Sequence, residues 1–295
     1  MARTAELLDG KRVAQETLDA ARTRVQALVD GHGVTPCLAT VLVGADPASI
    51  TYTKMKRKRC ESIGMRSVKV ELPATTTQED LMSALQELGD DRSVHGILLQ
   101  HPAPPQIDER VAFDAIPPGK DVDGVGSVSF ANMWFGEPGF ASCTPAGMVR
   151  LLDAYGLDVA GKHAVVIGRS AILGKPLTGM LLDRNATVTV CHSRTADVAA
   201  EVARADLVCA CVGKPAFVKG DWLKEGVVVL DAGYNEGNVG DVDFDAALSI
   251  ASHITPVPGG VGPMTIAVLI EQTVTAAEAT VGLGALAGAG SGGVT

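Results

Sequence analysis

Tyr52 and Lys56 stand four residues apart in PASITYTKMKRKRCESIG, a spacing that puts both on one helix face. Lys54 and Lys58 lie two residues to either side and point elsewhere, so the segment is either a solvated basic face or part of a site. Gln100 closes the apolar run HGILLQ directly before HPAPP, and ligands of parallel sheets gather at such strand ends. In KDVDG, Asp121 and Asp123 share a tight turn that is either a solvated Asx-type turn or part of the same site. PGGVGPMT, which contains Pro258, Gly259 and Gly260, is either a hinge before a helix or a place where backbone approaches a flat ligand.

A second group of residues suggests a phosphate. VVIGRSAILGKP (Val165–Pro176) runs from an apolar strand through a glycine turn into a helix, yet it matches neither G-x-G-x-x-G nor the P-loop. Backbone N–H groups at a helix start favour an anion whatever the glycine spacing, and the plainer alternative is an ordinary tight turn. The next strand, TVTVC, separates the two readings. An NAD site places a carboxylate about 20 residues after the first glycine, to pair with the ribose. Here HSRT follows, and Ser193 and Arg194 offer a hydroxyl and a fixed cation. That suits a 2′-phosphate, hence NADP, and Arg169 could add a second positive group.

The elements that must position these residues alternate. CLATVLVG, SVKVEL and HGILLQ read as strands separated by helical segments, the first helix opened by Asp9 as a cap. After a Pro- and Gly-rich stretch between about Pro102 and Pro145, the expected interdomain region, AVVIG, TVTVC, LVCACV and VVVLD repeat the pattern. Strands alternating with helices imply parallel sheets, here in an α/β fold of two domains with a cleft between them. The expected division is 1–143 for the first domain, completed by a last helix at about 263–281, then 144–262, then a disordered tail over 282–295.

Composition excludes several classes. With 46% hydrophobic and 20% charged residues the chain is globular, and a net charge of −9 opposes nucleic-acid binding. No apolar run reaches membrane-span length and the N-terminus has no signal core, so a cytoplasmic protein without a membrane partner is expected. Six cysteines without a C-x-x-C pair and six scattered histidines indicate reduced thiols and no metal site.

Taken in order, VGADPASITYTKMKRKRCESIG, GILLQHPAP, KDVDG, TPAG, VVIGRSAILGKP, CHSRT, DAGYN and TPVPGGVGPMT resemble the bifunctional methylenetetrahydrofolate dehydrogenase/methenyltetrahydrofolate cyclohydrolase family. The resemblance covers nearly the whole chain except the tail. It implies NADP-dependent oxidation of methylenetetrahydrofolate, hydrolysis of the methenyl product to formyltetrahydrofolate, and a homodimer. It also implies that Lys56 is the catalytic lysine, that Tyr52 packs on the substrate ring, and that Gln100 and Asp123 complete the folate site with Pro258, Gly259 and Gly260. Gly168, Arg169, Ser170, Ser193, Arg194 and the backbone of Tyr234 would hold the cofactor. Burial and the neighbouring Lys54, Arg57, Lys58 and Arg59 are expected to lower the Lys56 pKa. His101, Tyr234 and the pair Ala171–Ile172 depart from the common family form at the rims of these sites. A dehydrogenase without hydrolase activity and a non-catalytic dinucleotide-sensing protein are the competing readings.

Overall fold

The computed structural model describes residues 4–44 and 46–283, without the side chains of Pro47, Ala48, Ser49, Thr51 and Tyr52. Its first elements are β1 (Glu6–Leu7), α1 (Gly10–His32), β2 (Cys37–Val43), α2 (Pro47–Ser62), β3 (Arg66–Leu72), α3 (Gln78–Asp90) and β4 (Gly96–Leu99). Next come α4 (Glu109–Asp114), α5 (Ser127–Phe135) and α6 (Cys143–Ala154). The remainder is β5 (His163–Ile167), α7 (Gly174–Asp183), β6 (Thr187–Cys191), α8 (Val198–Val202), β7 (Leu207–Ala210), β8 (Val228–Asp231), α9 (Phe244–Ala247), β9 (His253–Ile254) and α10 (Val261–Thr280). The fold is α/β with two units. One holds Glu16–Cys143 and the chain from Ile266; the other holds Thr144–Thr265 and the residues up to Gln15.

In the first unit a parallel sheet has the order β3-β2-β4. Central strand β2 is buried at all seven positions, which is why its sequence is a continuous apolar run. Edge strand β3 is half-buried or exposed at every position and reads accordingly as mixed. Helix α1 buries Leu18, Ala21, Val25 and Leu28 at helical spacing. Asp9 caps it as expected, its Oδ1 accepting from the N–H groups of Lys11 (2.9 Å) and Arg12 (3.2 Å). Thr77 caps α3 in the same way. Arg24 of α1 donates to Glu278 (2.5 Å) and Thr275 (2.7 Å) of α10, so the last helix is pinned into this unit. The Pro- and Gly-rich stretch expected to be irregular carries α4, α5 and the start of α6. Helices of six and nine residues between glycines and prolines have too few turns for a period to show.

In the second unit six parallel strands follow the order β1-β9-β8-β7-β5-β6. Val165, Ile167, Val208, Ala210, Val229 and Ile254 share its core. Strands β1 and β9 escape sequence reading because two residues cannot display alternation. From β5 the chain passes to β6 on one side and then to β7 on the other, so β5 is the point where strand order reverses. The expected tail lies outside the described residues from residue 284 onward. No helix among the described residues is long and apolar enough to cross a membrane.

Candidate active site

Among the described side chains of α2 the buried ones are Thr53, Lys56 and Cys60, three and four residues apart, while Lys54, Arg57, Lys58 and Arg59 are exposed. Lys56 is therefore the one cation of the basic run that the helix turns inward, and it is only 8% exposed. Its Nζ donates to Gln100 Oε1 at 3.0 Å. Gln100 is held from both ends: its backbone N–H donates to Val41 O (2.8 Å), extending the β4 ladder, and its Nε2 donates to His101 O (2.8 Å). The second bond orients the amide so that its oxygen faces the lysine. An amide acceptor satisfies the amine without adding charge.

Burial pushes the Lys56 amine below its ordinary value, and the Asp123 carboxylate opposes this. The expected lowering by basic neighbours is corrected here, because those side chains reach solvent, where Arg57 pairs with Glu61 at 3.5 Å. Burial pushes the Cys60 thiol up to about 12 and that of Cys143 well above its usual range. Neither sulfur supplies a thiolate beside the lysine near neutral pH.

The KDVDG turn divides its two carboxylates between different tasks. Asp121 is buried and accepts from Val125 N–H (3.2 Å), Gly126 N–H (2.8 Å) and the Ser129 hydroxyl (2.5 Å), clamping the entry to α5. Asp123 is half-buried and acts on the charge of Lys56. Gly124 has φ +64°, and a Cβ there would run into the Ala141 backbone. Gln272 of α10 secures the same place: its Nε2 donates to Val122 O (2.7 Å) and Ala141 O (2.9 Å), and its Oε1 accepts from Ala141 N–H (3.1 Å). Sequence reading missed Gln272, although a polar residue inside the apolar run IAVLIEQTV was a visible signal.

Tyr52 lies on α2, and its side chain is outside the described residues. Lys56, Gln100 and Asp123 belong to the same unit. Pro258, Gly259 and Gly260 belong to the other. Gly260 N–H donates to Pro256 O (2.8 Å) and Gly259 O accepts from Lys11 N–H (3.1 Å), so this segment is tied down, which disfavours a free hinge. Gly259 has φ +117°.

In the unit with six strands, Gly168 ends β5 with φ +124°, and a Cβ there would strike the carbonyl of Cys211. A Cβ on Gly174 would strike the carbonyl of Gly168. Both glycines keep the turn flat against β7; Leu173 offers α7 no side-chain cap, and Ser170 O accepts from Lys175 N–H (3.1 Å) instead. Arg169, Ser170, Ser193 and Arg194 are exposed at the carboxyl ends of β5 and β6. The turn after β6 is closed by Thr195 Oγ1, which accepts from His192 N–H (2.9 Å), and by His192 Nδ1, which accepts from Arg194 N–H (3.1 Å). Among the described residues no carboxylate pairs with the Arg194 guanidinium. Tyr234 is 56% exposed, and its hydroxyl donates to Asn238 Oδ1 at 3.0 Å. A flat glycine turn and a free cation fit a dinucleotide at a strand-order reversal. No group of three His, Cys, Asp or Glu side chains among the described residues could hold a metal ion.

Comparison with known proteins gives a consistent result. Residues 8–123 match the family model "Tetrahydrofolate dehydrogenase/cyclohydrolase, catalytic domain", and residues 142–281 match its "NAD(P)-binding domain". A "Bifunctional protein FolD 1" from Streptomyces avermitilis is 60% identical over 280 residues, covering 95% of this chain and 98% of the relative. The crystal structure of a bifunctional FolD enzyme from Campylobacter jejuni superposes with a TM-score of 0.91 at 42% identity, covering 94% of this chain and 99% of that one. A Trypanosoma brucei relative, solved with NADP cofactor and inhibitor, also has a TM-score of 0.91, at 36% identity and coverages of 94% and 99%.

Proposed function

We infer the function from one premise: the chain belongs to the tetrahydrofolate dehydrogenase/cyclohydrolase family. It is a bifunctional enzyme of one-carbon metabolism, a methylenetetrahydrofolate dehydrogenase and methenyltetrahydrofolate cyclohydrolase. The bifunctional relatives at 60% and 42% identity weigh against the dehydrogenase-only and dinucleotide-sensing readings. Its second domain binds NAD(P), and the choice of NADP rests on Ser193 and Arg194 standing where a ribose-binding carboxylate would be. When bound, the nicotinamide supplies the hydride acceptor for the first step.

The observation that carries the hydrolytic step is the buried Lys56–Gln100 pair. Oxidation leaves a methenyl cation, beside which a charged lysine would be unfavourable. Burial keeps part of the amine neutral, so Lys56 can take the proton of the water that adds to the methenyl carbon. The hydroxyl on that carbon then gives up its proton as the C–N5 bond breaks and N5 takes one up, so the C=O forms, one proton is released overall, and 10-formyltetrahydrofolate results. Gln100 holds the amine, Tyr52 stacks on the pterin, and Asp123 accepts from the pterin amino and ring N–H edge. Pro258, Gly259 and Gly260 give backbone contact with the substrate. A homodimer in the cytoplasm is part of this reading.

Lys56→Met tests it. Hydrolysis of methenyltetrahydrofolate should fall by about 10²–10⁴-fold, the usual size of an acid–base contribution. Methylenetetrahydrofolate oxidation should fall less, because hydride transfer depends mainly on alignment. Near-normal hydrolysis would return Tyr52 and Lys56 to a shared helix face without chemistry.

A further inference from the structure

The loop after β7, Val212 to Lys214, presents three consecutive N–H groups to one buried carboxylate, that of Asp241. Oδ2 accepts from Val212 N–H (2.7 Å) and Gly213 N–H (2.8 Å), and Oδ1 accepts from Lys214 N–H (2.8 Å) and Asn235 Nδ2 (3.1 Å). Gly213 has φ +62°, the left-handed turn that lets successive N–H groups converge. Such a nest ordinarily binds an anion, and here the chain supplies its own, with Asp241 fully buried.

Two glycines record how tightly this is built. A Cβ on Gly233, in DAGYN after β8, would overlap the Asp241 carboxylate, and a Cβ on Gly240 would overlap that of Asp231. Asp231 in turn accepts from the N–H groups of Gly233 (2.8 Å), Asp241 (2.9 Å) and Val242 (2.9 Å). Asp241 thereby staples the loop after β7 to the loop after β8. Those loops leave the carboxyl ends of β7, the neighbour of β5, and of β8 beyond it, and Gly168 of the cofactor turn lies against Cys211 at the start of the first loop. In an open α/β sheet the ligand crevice forms where strand order reverses, here between β5 and β7.

We propose that Asp241 is a positioning residue for the dinucleotide: by filling the nest it fixes the Val212–Lys214 wall of the crevice and leaves the Gly168–Gly174 turn as the place for phosphate. An occupied nest cannot take a phosphate, so the loop is a wall and not a cradle. Asp241 does not touch the cofactor; it acts through the loop. This rests on the reading of the site as a dinucleotide site.

The test is Asp241→Asn in the full chain. An amide has one acceptor oxygen, and its own N–H groups would face the donors of the nest. Losing charge-assisted bonds of this kind should raise the KM for NADP by about ten- to a hundredfold. The kcat for oxidation at saturating cofactor should fall less. Hydrolysis of methenyltetrahydrofolate, which needs no dinucleotide, should stay within about twofold and reports the intact fold. Equal loss of both activities, or an unchanged KM, would overturn the proposal. If the variant does not fold, Gly213→Ala replaces it: a Cβ there meets nothing within 4 Å, so the change strains only the turn. It should raise the same KM with hydrolysis retained, and an unchanged KM overturns the proposal. Wild-type enzyme in the same assay separates the two inferences. Should it prefer NAD, the NADP reading fails and Asp241 is judged on the KM for NAD; should it use neither, both fail.

Discussion

At the scale of the residue, burial gives Lys56 its function. Lys54 and Lys58 reach water, whereas Lys56 loses solvation and gains a neutral acceptor. Asp123 works against release of the Lys56 proton, since a nearby carboxylate favours the ammonium. Asp123→Asn should therefore move the rising limb of the pH profile for hydrolysis toward lower pH, even while substrate binding weakens. An unmoved limb would show that the carboxylate does not reach the amine. Arg194 makes the matching contribution to cofactor choice. Arg194→Ala should raise the KM for NADP by about ten- to a hundredfold, the size of a lost charged bond to phosphate, and leave that for NAD nearly unchanged. An equal rise for both would assign Arg194 to the fold.

At the scale of the element, the site depends on short turns held by buried carboxylates. Asp121 clamps the start of α5 and so carries Asp123, but it does so at a desolvation cost: burial pushes its pKa up to about 6 in spite of three donors. The sign follows directly. A carboxyl whose folded pKa lies above its unfolded one adds stability that is complete below about pH 4 and is lost as pH rises through 6. Between pH 7 and pH 5 the wild type should gain about 1 kcal/mol from this group, and Asp121→Asn should not. Denaturant unfolding of both proteins at the two pH values measures the gap. A gap that narrows toward acid would mean that the donors outweigh burial. Gln272 holds the other side of the same loop from α10, so a helix remote in sequence sets the position of Asp123.

At the scale of the whole molecule, the two units have separate cores and carry separate parts of the chemistry. Lys56, Gln100 and Asp123 lie in one, the glycine turn with Ser193 and Arg194 in the other. Their activities should accordingly respond separately to substitution, as the Lys56 and Asp241 variants test from opposite directions. A homodimer is expected, and light scattering at micromolar concentration should give close to twice the chain mass; the mass of a single chain would refute it.

Sequence alone determined what depends on neighbours along the chain. The apolar runs of β2, β5 and β7 are legible because strands buried on both faces must be apolar throughout, and the cap Asp9 because it acts within three residues. The motif Tyr-x-x-x-Lys with KDVDG and PGGVGPMT was enough to suggest the family. Tertiary structure decided the rest. Which lysine of TKMKRKR turns inward was not written in its periodicity, since the buried stripe of α2 is threonine, lysine and cysteine. Which carboxylate of KDVDG is a clamp, and that Asp241 fills a nest 27–29 residues away, depend equally on distant partners. Burying a charged or polar group is tolerable only where a partner waits. Lys56 and Gln100 are 44 residues apart, and only the folded chain brings that partner into reach.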